Sequence, residues 1–137
     1  MTMIVLDACA AVEIVRETVR GSAFRALMLE GEEVISSDLF QAEVRNVFWK
    51  YVHAGLLDEG LASRYVEQAL ALVDEFCPLE EYGDEAFLEA ALRDHPVYDM
   101  LYLCAARRHG ATLFTADRGL VRMCEEAGVN CICEVEF

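Results

Sequence analysis

Four acidic residues in separate parts of this 137-residue chain, Asp7, Glu43, Asp99 and Asp117, have the types and settings to do chemistry together. Asp7 directly follows a short apolar run at 3–6, and Asp117 follows a second run ending at Phe114. Asp99 falls in the first turn of a helical stretch opening after Pro96, and Glu43 lies about one turn into another. Carboxylates held side by side repel one another, and stay ionised together at low cost only when a cation neutralises them. An all-oxygen donor set of this kind suits Mg²⁺ or Mn²⁺ rather than zinc. Each acid also has a plainer reading. Asp is a favoured helix N-cap worth about 1 kcal/mol, which would account for Asp7, Asp117 or Asp99, and Glu43 could be an ordinary helix-surface residue. Asn46, three residues after Glu43, points a second oxygen-bearing side chain the same way.

The elements needed to gather these residues are legible as an alternation. The run at 3–6 reads as a strand entering a helix at 8–16, and a second helix at 19–29 is closed by Gly31. Residues 33–36 supply a strand. Asp38 and Gln41 have the spacing of a capping box and open a helix to about His53, with Phe40, Val44, Val47, Phe48 and Tyr51 as its apolar stripe. A helix over 58–75, a strand at 76–79 around Pro78, a short helix over 84–92 and a helix from Pro96 to His109 follow. Residues 111–114 read as a buried strand and 117–127 as a helix. The last strand, 131–137, places Cys131, Cys133, Val135 and Phe137 on one face. Five strands alternating with helices predict a single three-layer α/β/α domain over 1–137 with a mostly parallel five-stranded sheet. In such a sheet ligands bind beyond the carboxyl ends of the strands, the rim to which Asp7, Glu43 and Asp117 are led.

Composition bounds the function. With 11 basic and 25 acidic residues the chain carries a net charge of −14, which excludes nucleic-acid binding through a broad basic surface but not a site that recruits phosphate through metal ions. Hydrophobic residues make up 55%, so the charge does not signal disorder. The amino terminus lacks a basic, apolar leader, and no run approaches the roughly 20 apolar residues of a membrane span, so a cytoplasmic protein is expected. Six cysteines without a Cys-x-x-Cys pair, and three histidines, make a zinc site unexpected; the cysteines read as small buried apolar residues.

Four segments carry a resemblance that periodicity does not supply. Ile4-Val-Leu-Asp-Ala-Cys9, Ser37-Asp-Leu-Phe-Gln-Ala-Glu-Val-Arg-Asn-Val47, His95-Pro-Val-Tyr-Asp-Met-Leu-Tyr-Leu-Cys-Ala-Ala106 and Leu113-Phe-Thr-Ala-Asp-Arg-Gly-Leu120 resemble, in order, the signature blocks of the PIN-domain family, particularly its VapC-type toxins. By that resemblance Asp7, Glu43, Asp99 and Asp117 fall on the acidic metal-binding positions, and Asn46 and Thr115 on their polar companions. Cys9 departs from the pattern, standing where the family usually has Ser or Thr, a better hydrogen-bond donor. The implied activity is Mg²⁺- or Mn²⁺-dependent hydrolysis of RNA phosphodiesters, with the ions binding the scissile phosphate, activating a water and stabilising the leaving 3′ oxygen. The implied partners are a small antitoxin, lying across an apolar groove, and a second copy of the chain; the surplus acidity suits attraction of a basic antitoxin segment. A PIN-like binding protein with weak or no nuclease activity is the alternative, favoured only by Cys9.

Other chemistries fit less well. A haloacid-dehalogenase-like enzyme needs Asp-x-Asp where this chain has Asp7-Ala8-Cys9, and a receiver domain needs a late lysine where the sole lysine is Lys50. His53, His109, Arg107 and Arg108 read as cations complementing helix C-termini, and His95, next to the Asp99 block, as a turn residue before proline that is also placed to touch substrate. Arg118, beside Asp117, is the basic candidate for a phosphate contact. Trp49, Phe48 and Tyr51 read as core or dimer contacts.

Overall fold

The computed structural model describes residues 3–28 and 31–133. Strand β1 (Met3–Leu6) runs into α1 (Ala8–Val15) and α2 (Val19–Met28); β2 (Glu33–Ser37) is followed by α3 (Leu39–His53) and α4 (Glu59–Ala71). Then come β3 (Glu75–Cys77), α5 (Leu79–Arg93), α6 (Val97–His109), β4 (Thr112–Phe114), α7 (Arg118–Ala127) and β5 (Cys131–Ile132). The strands form one sheet in the order β3-β2-β1-β4-β5, and every pairing is parallel. Right-handed crossovers then put α1 to α4 on one face, as the chain steps from β1 to β3, and α5 to α7 on the other, as it steps back to β4 and β5. The expected three-layer α/β/α architecture is therefore present.

The order of the strands reverses between β1 and β4, and there the register aligns Leu6 with Phe114, so Asp7 and Thr115 leave the sheet side by side. Ile4, Val5 and Leu6 are fully buried without polar alternation, as a central strand covered on both faces requires. Asp7 N donates to Phe114 O at 3.1 Å, extending the ladder one residue into the site. On the far face α6 lies against β1, β2 and β4, and the whole stretch from Met100 to Ala106 is buried.

Several boundaries differ from expectation for local reasons. The Asp38–Gln41 capping box does not form: Asp38 itself adopts helical angles, Ser37 Oγ accepts from Leu39 N at 3.1 Å, and Asp38 Oδ2 accepts from Leu79 N at 3.4 Å. Helix α5 starts directly after Pro78 rather than at 84, with Glu80 and Glu81 complementing its first turn. Consequently β3 ends at Cys77, one register step beyond Ser36–Phe76. Helix α4 stops at Ala71, because Asp74 Oδ2 accepts from Val34 N and ties the chain to β2. Val135 and Phe137 of the expected last strand lie outside the described residues; β5 pairs through Leu113–Cys131 and Phe114–Ile132. Trp49 is 57% exposed rather than core, and Cys9 is exposed, whereas Cys77, Cys104 and Cys124 are buried as expected. No described helix is long and apolar enough to cross a membrane.

The α1–α2 contact depends on a glycine. A Cβ at Gly21 would meet Glu13 O at 1.9 Å, whereas one at Gly83, inside α5, finds nothing closer than Leu79 Cδ1 at 3.9 Å. Gly21→Ala should lower the melting temperature by forcing α2 off α1, while Gly83→Ala should raise stability by about 0.5–1 kcal/mol through helix propensity. Thermal melts of the two variants showing shifts of the same sign would contradict this packing.

Candidate active site

Each of the four acids is delivered by a different element. Asp7 caps α1, its Oδ1 accepting from Ala10 N at 2.8 Å, and Asp117 caps α7, its Oδ1 accepting from Gly119 N at 2.8 Å and Leu120 N at 3.4 Å. Both are N-caps and both also stand at the carboxyl edge of the sheet, so for them the two readings open in the sequence describe one placement. Asp99 lies in the first turn of α6, and Glu43 projects from α3.

The four acids lie near enough to act on one another's charge. Asp7 is fully buried, and its carboxyl is raised to about 7: burial is the main cause, partly offset by hydrogen bonds from Thr115 and Ala10, with Asp99 and Glu43 adding repulsion. Glu43 is raised by burial, offset by Tyr102, and then by Asp99 and Asp117. Although Cys9 is exposed as a residue, its Sγ is partly drawn out of water beside the acids; that desolvation, followed by the charges of Asp7, Glu43, Asp117 and Asp99, lifts the thiol to about 12. All four acids thus act on one point at the start of α1, where Cys9 stays a neutral thiol.

Most of these carboxylates are held by a donor. Thr115, fully buried after β4, donates through Oγ1 to Asp7 Oδ2 and accepts from Asp117 N at 3.0 Å, joining two acids. Tyr102 Oη donates to Glu43 Oε1 at 3.0 Å, and His95 Nε2 lies 2.7 Å from Asp99 Oδ2. The sequence reading missed Tyr102 and took His95 for a turn residue. Tyr102 could have been found, since it lies three residues after Asp99 on the same face of α6, whereas His95 stands before the helix and reaches Asp99 from the turn at Pro96. Asn46 lies three residues after Glu43 in α3, and its side chain is exposed, with no hydrogen bond to a described residue. Arg118 opens α7 and lines, with Val121, Arg122 and Cys133, a cavity of about 460 Å³. A second groove, of about 370 Å³, runs past Glu43 and Asp99 between Leu39, Pro96 and Tyr98.

Arg107 and Arg108 are committed elsewhere than expected: they bind Glu85 at 2.7 and 2.6 Å, and Arg107 also binds Glu89 at 2.8 Å, fastening α6 to α5. His109 Nε2 meets Tyr82 Oη at 2.9 Å, and His53 stacks on Trp49 with ring centroids 5.0 Å apart.

The donor set fits a hard divalent ion. No salt bridge reaches Asp7 or Glu43 among the described residues, and oxygen is the donor atom of every acid. Nor do three described His, Cys, Asp or Glu side chains form a ready-made cage for an ion. Mg²⁺ is usually held through one or two carboxylates, with water and phosphate oxygens completing its shell, so an open arrangement suits it better than an ion needing a closed protein cage.

An all-parallel α/β sheet with acids gathered at its switch point defines the class of protein. The chain belongs to the PIN-domain family, whose model matches residues 4–126. It is 29% identical over 120 residues to Ribonuclease VapC3 of Pyrobaculum aerophilum, covering 85% of this chain and 91% of that protein. Its fold is shared with VapBC2 from Rickettsia felis, solved bound to a DNA fragment from their promoter: TM-score 0.69 and 14% identity, over 96% of this chain and 98% of that one. FitAcB from Neisseria gonorrhoeae also shares it, with TM-score 0.63 and 22% identity, over 95% and 96%. The family resemblance carried by the four sequence blocks is therefore correct.

The Asp7 geometry has a consequence for stability. A carboxyl raised from 3.8 to about 7 on folding favours the folded protein fully below pH 3.8, and that contribution is lost as pH rises through 7. The whole swing is on the order of 4 kcal/mol. In EDTA, Asp7→Asn should gain stability relative to wild type between pH 4 and pH 8; parallel melting-temperature curves across that range would show that Asp7 ionises as an ordinary carboxyl.

Proposed function

We propose that this protein is a metal-dependent ribonuclease and the toxin of a toxin–antitoxin pair. The observation that carries the reading is the rim at the switch of the sheet, where Thr115 ties Asp7 to the Asp117 turn and Tyr102 and His95 meet Glu43 and Asp99, in a member of the PIN-domain family similar to a ribonuclease. Mg²⁺ or Mn²⁺, when bound, supplies Lewis-acid activation of a water and neutralises the charge of the phosphodiester undergoing attack. The four acids are the residues that hold it. Thr115 fixes Asp7 and the Asp117 turn relative to each other, and Arg118 adds positive charge beside Asp117 for a substrate phosphate. Cys9, neutral among the acids, occupies space without adding charge. The groove past Glu43 and Asp99 gives an RNA strand an approach to the acids.

Exposed apolar side chains support a protein partner. Trp49, Phe87, Leu88 and Leu92 are all more than half exposed, a cost in water that an antitoxin or a second copy in a homodimer would relieve. The setting of such a system is the cytoplasm.

RNA cleavage tested with Mg²⁺ or Mn²⁺ titrated in should appear with wild type, vanish in excess EDTA, and fall at least a hundredfold in Asp7→Asn. Cleavage undiminished by EDTA or by Asp7→Asn would remove the proposal. A well-folded wild type without activity on any RNA would favour the second reading, a PIN-like binding protein, for which the Cys9 substitution speaks.

A further inference from the structure

Tyr102 is almost completely buried in α6, among apolar neighbours that phenylalanine would satisfy equally well. Its hydroxyl is nonetheless spent on a residue 59 positions away: Oη donates to Glu43 Oε1 at 3.0 Å. Helix α6 and helix α3 belong to opposite layers of the fold, so this single hydroxyl spans the carboxyl edge of the sheet from one layer to the other. A buried phenol that gave up this bond would leave polar atoms unsatisfied, so the contact is an orienting one and not incidental. The donor is also neutral. A lysine or arginine in its place would neutralise Glu43 and compete with a cation, whereas a phenol fixes the carboxylate and leaves its charge available. Oε2 of Glu43 carries no hydrogen bond among the described residues.

We infer that Tyr102 is a positioning residue of the metal site, holding Glu43 by Oε1 against the start of α1 so that Oε2 is the oxygen offered to a divalent ion. This rests on the metal-dependent reading above, and it makes Tyr102 act through Glu43 without touching ion or RNA. Partners that orient metal ligands typically change affinity by 10–100-fold when removed.

The test is Mn²⁺ binding to the RNA-free protein, read from the electron paramagnetic resonance signal of unbound Mn²⁺. Tyr102→Phe should weaken binding about tenfold, whereas Tyr51→Phe, whose hydroxyl bonds Arg16 at 2.7 Å away from the acids, should leave it unchanged. In a Glu43→Gln background the Tyr102→Phe effect should disappear, a coupling that a merely structural role would not produce. As a measurement needing no variant, the Tyr102 hydroxyl proton of wild type should exchange slowly and shift when Mg²⁺ is added. Equal Mn²⁺ affinity in wild type and Tyr102→Phe, additive losses in the double variant, or a hydroxyl signal indifferent to Mg²⁺ would each overturn the role of Tyr102 alone. A wild type that binds no Mn²⁺ would overturn the metal reading and the Tyr102 role with it.

Discussion

The structure turns on an ionisable carboxyl buried where the central strand ends. Asp7 must leave β1 beside Thr115 and cap α1 through Ala10 N while buried, with the half-buried Glu43 and Asp99 adding repulsion. Burial alone would favour its neutral form. The hydrogen bonds from Thr115 and Ala10 pull the other way, and what remains is a group poised near neutrality. A protein built only for stability would place an apolar residue or a paired charge there. The all-parallel sheet sustains the arrangement: the fully buried β1 between β2 and β4 supplies rigid apolar support, and the helix start supplies amide donors and a positive dipole end.

How far this was legible in the sequence depends on the kind of signal. The strand at 3–6 is an unbroken apolar run, and Asp7 and Asp117 are strand-end acids before helices; these are local patterns, and the structure has both residues at the carboxyl edge of the sheet as they imply. What caps and what binds could not be separated by sequence, because a single aspartate does the first while standing ready for the second. The Asp38–Gln41 box failed for a tertiary reason: Leu79 N, forty-one residues on, competes for Asp38, while Ser37 serves the helix start instead. The length of α5 was hidden by Gly83 and by an acidic first turn that read as loop. Asn46 satisfied a spacing rule, but its side chain is exposed. Tyr102 was read only as part of a sequence block, although its position relative to Asp99 was as regular as that of Asn46 relative to Glu43. Spacing along one helix shows which residues share a face, and only the packing of α6 across the sheet shows which face meets the acids.

The net charge of −14 also takes on structure. Glu85 and Glu89 bind Arg93, Arg107 and Arg108, a network that fastens α5 to α6. For Glu85 the arginine hydrogen bonds outweigh burial and hold the carboxyl below its ordinary value; for Glu89 they are themselves the largest influence, in the same direction. At the sheet edge the same residue type behaves in the opposite sense. Asp7 and Glu43 are met by Thr115 and Tyr102, neutral donors, and are raised.

That contrast separates two uses of acidity in one small protein. Where carboxylates have arginine partners they are already neutralised, and adding a cation gains little. Where their partners are a threonine and a tyrosine, the repulsion stays unrelieved, and under the proposed function a divalent ion would meet charge, oxygen and orientation together. Arg107 and Arg108 hold α6 against α5, and α6 in turn carries Asp99 and Tyr102 to the rim, with His95 just before its first turn. Polarity is divided so that arginines fix the scaffold and neutral hydroxyls fix the site. An Arg or Lys introduced beside Glu43 would stabilise the fold by the same logic that it would silence the rim.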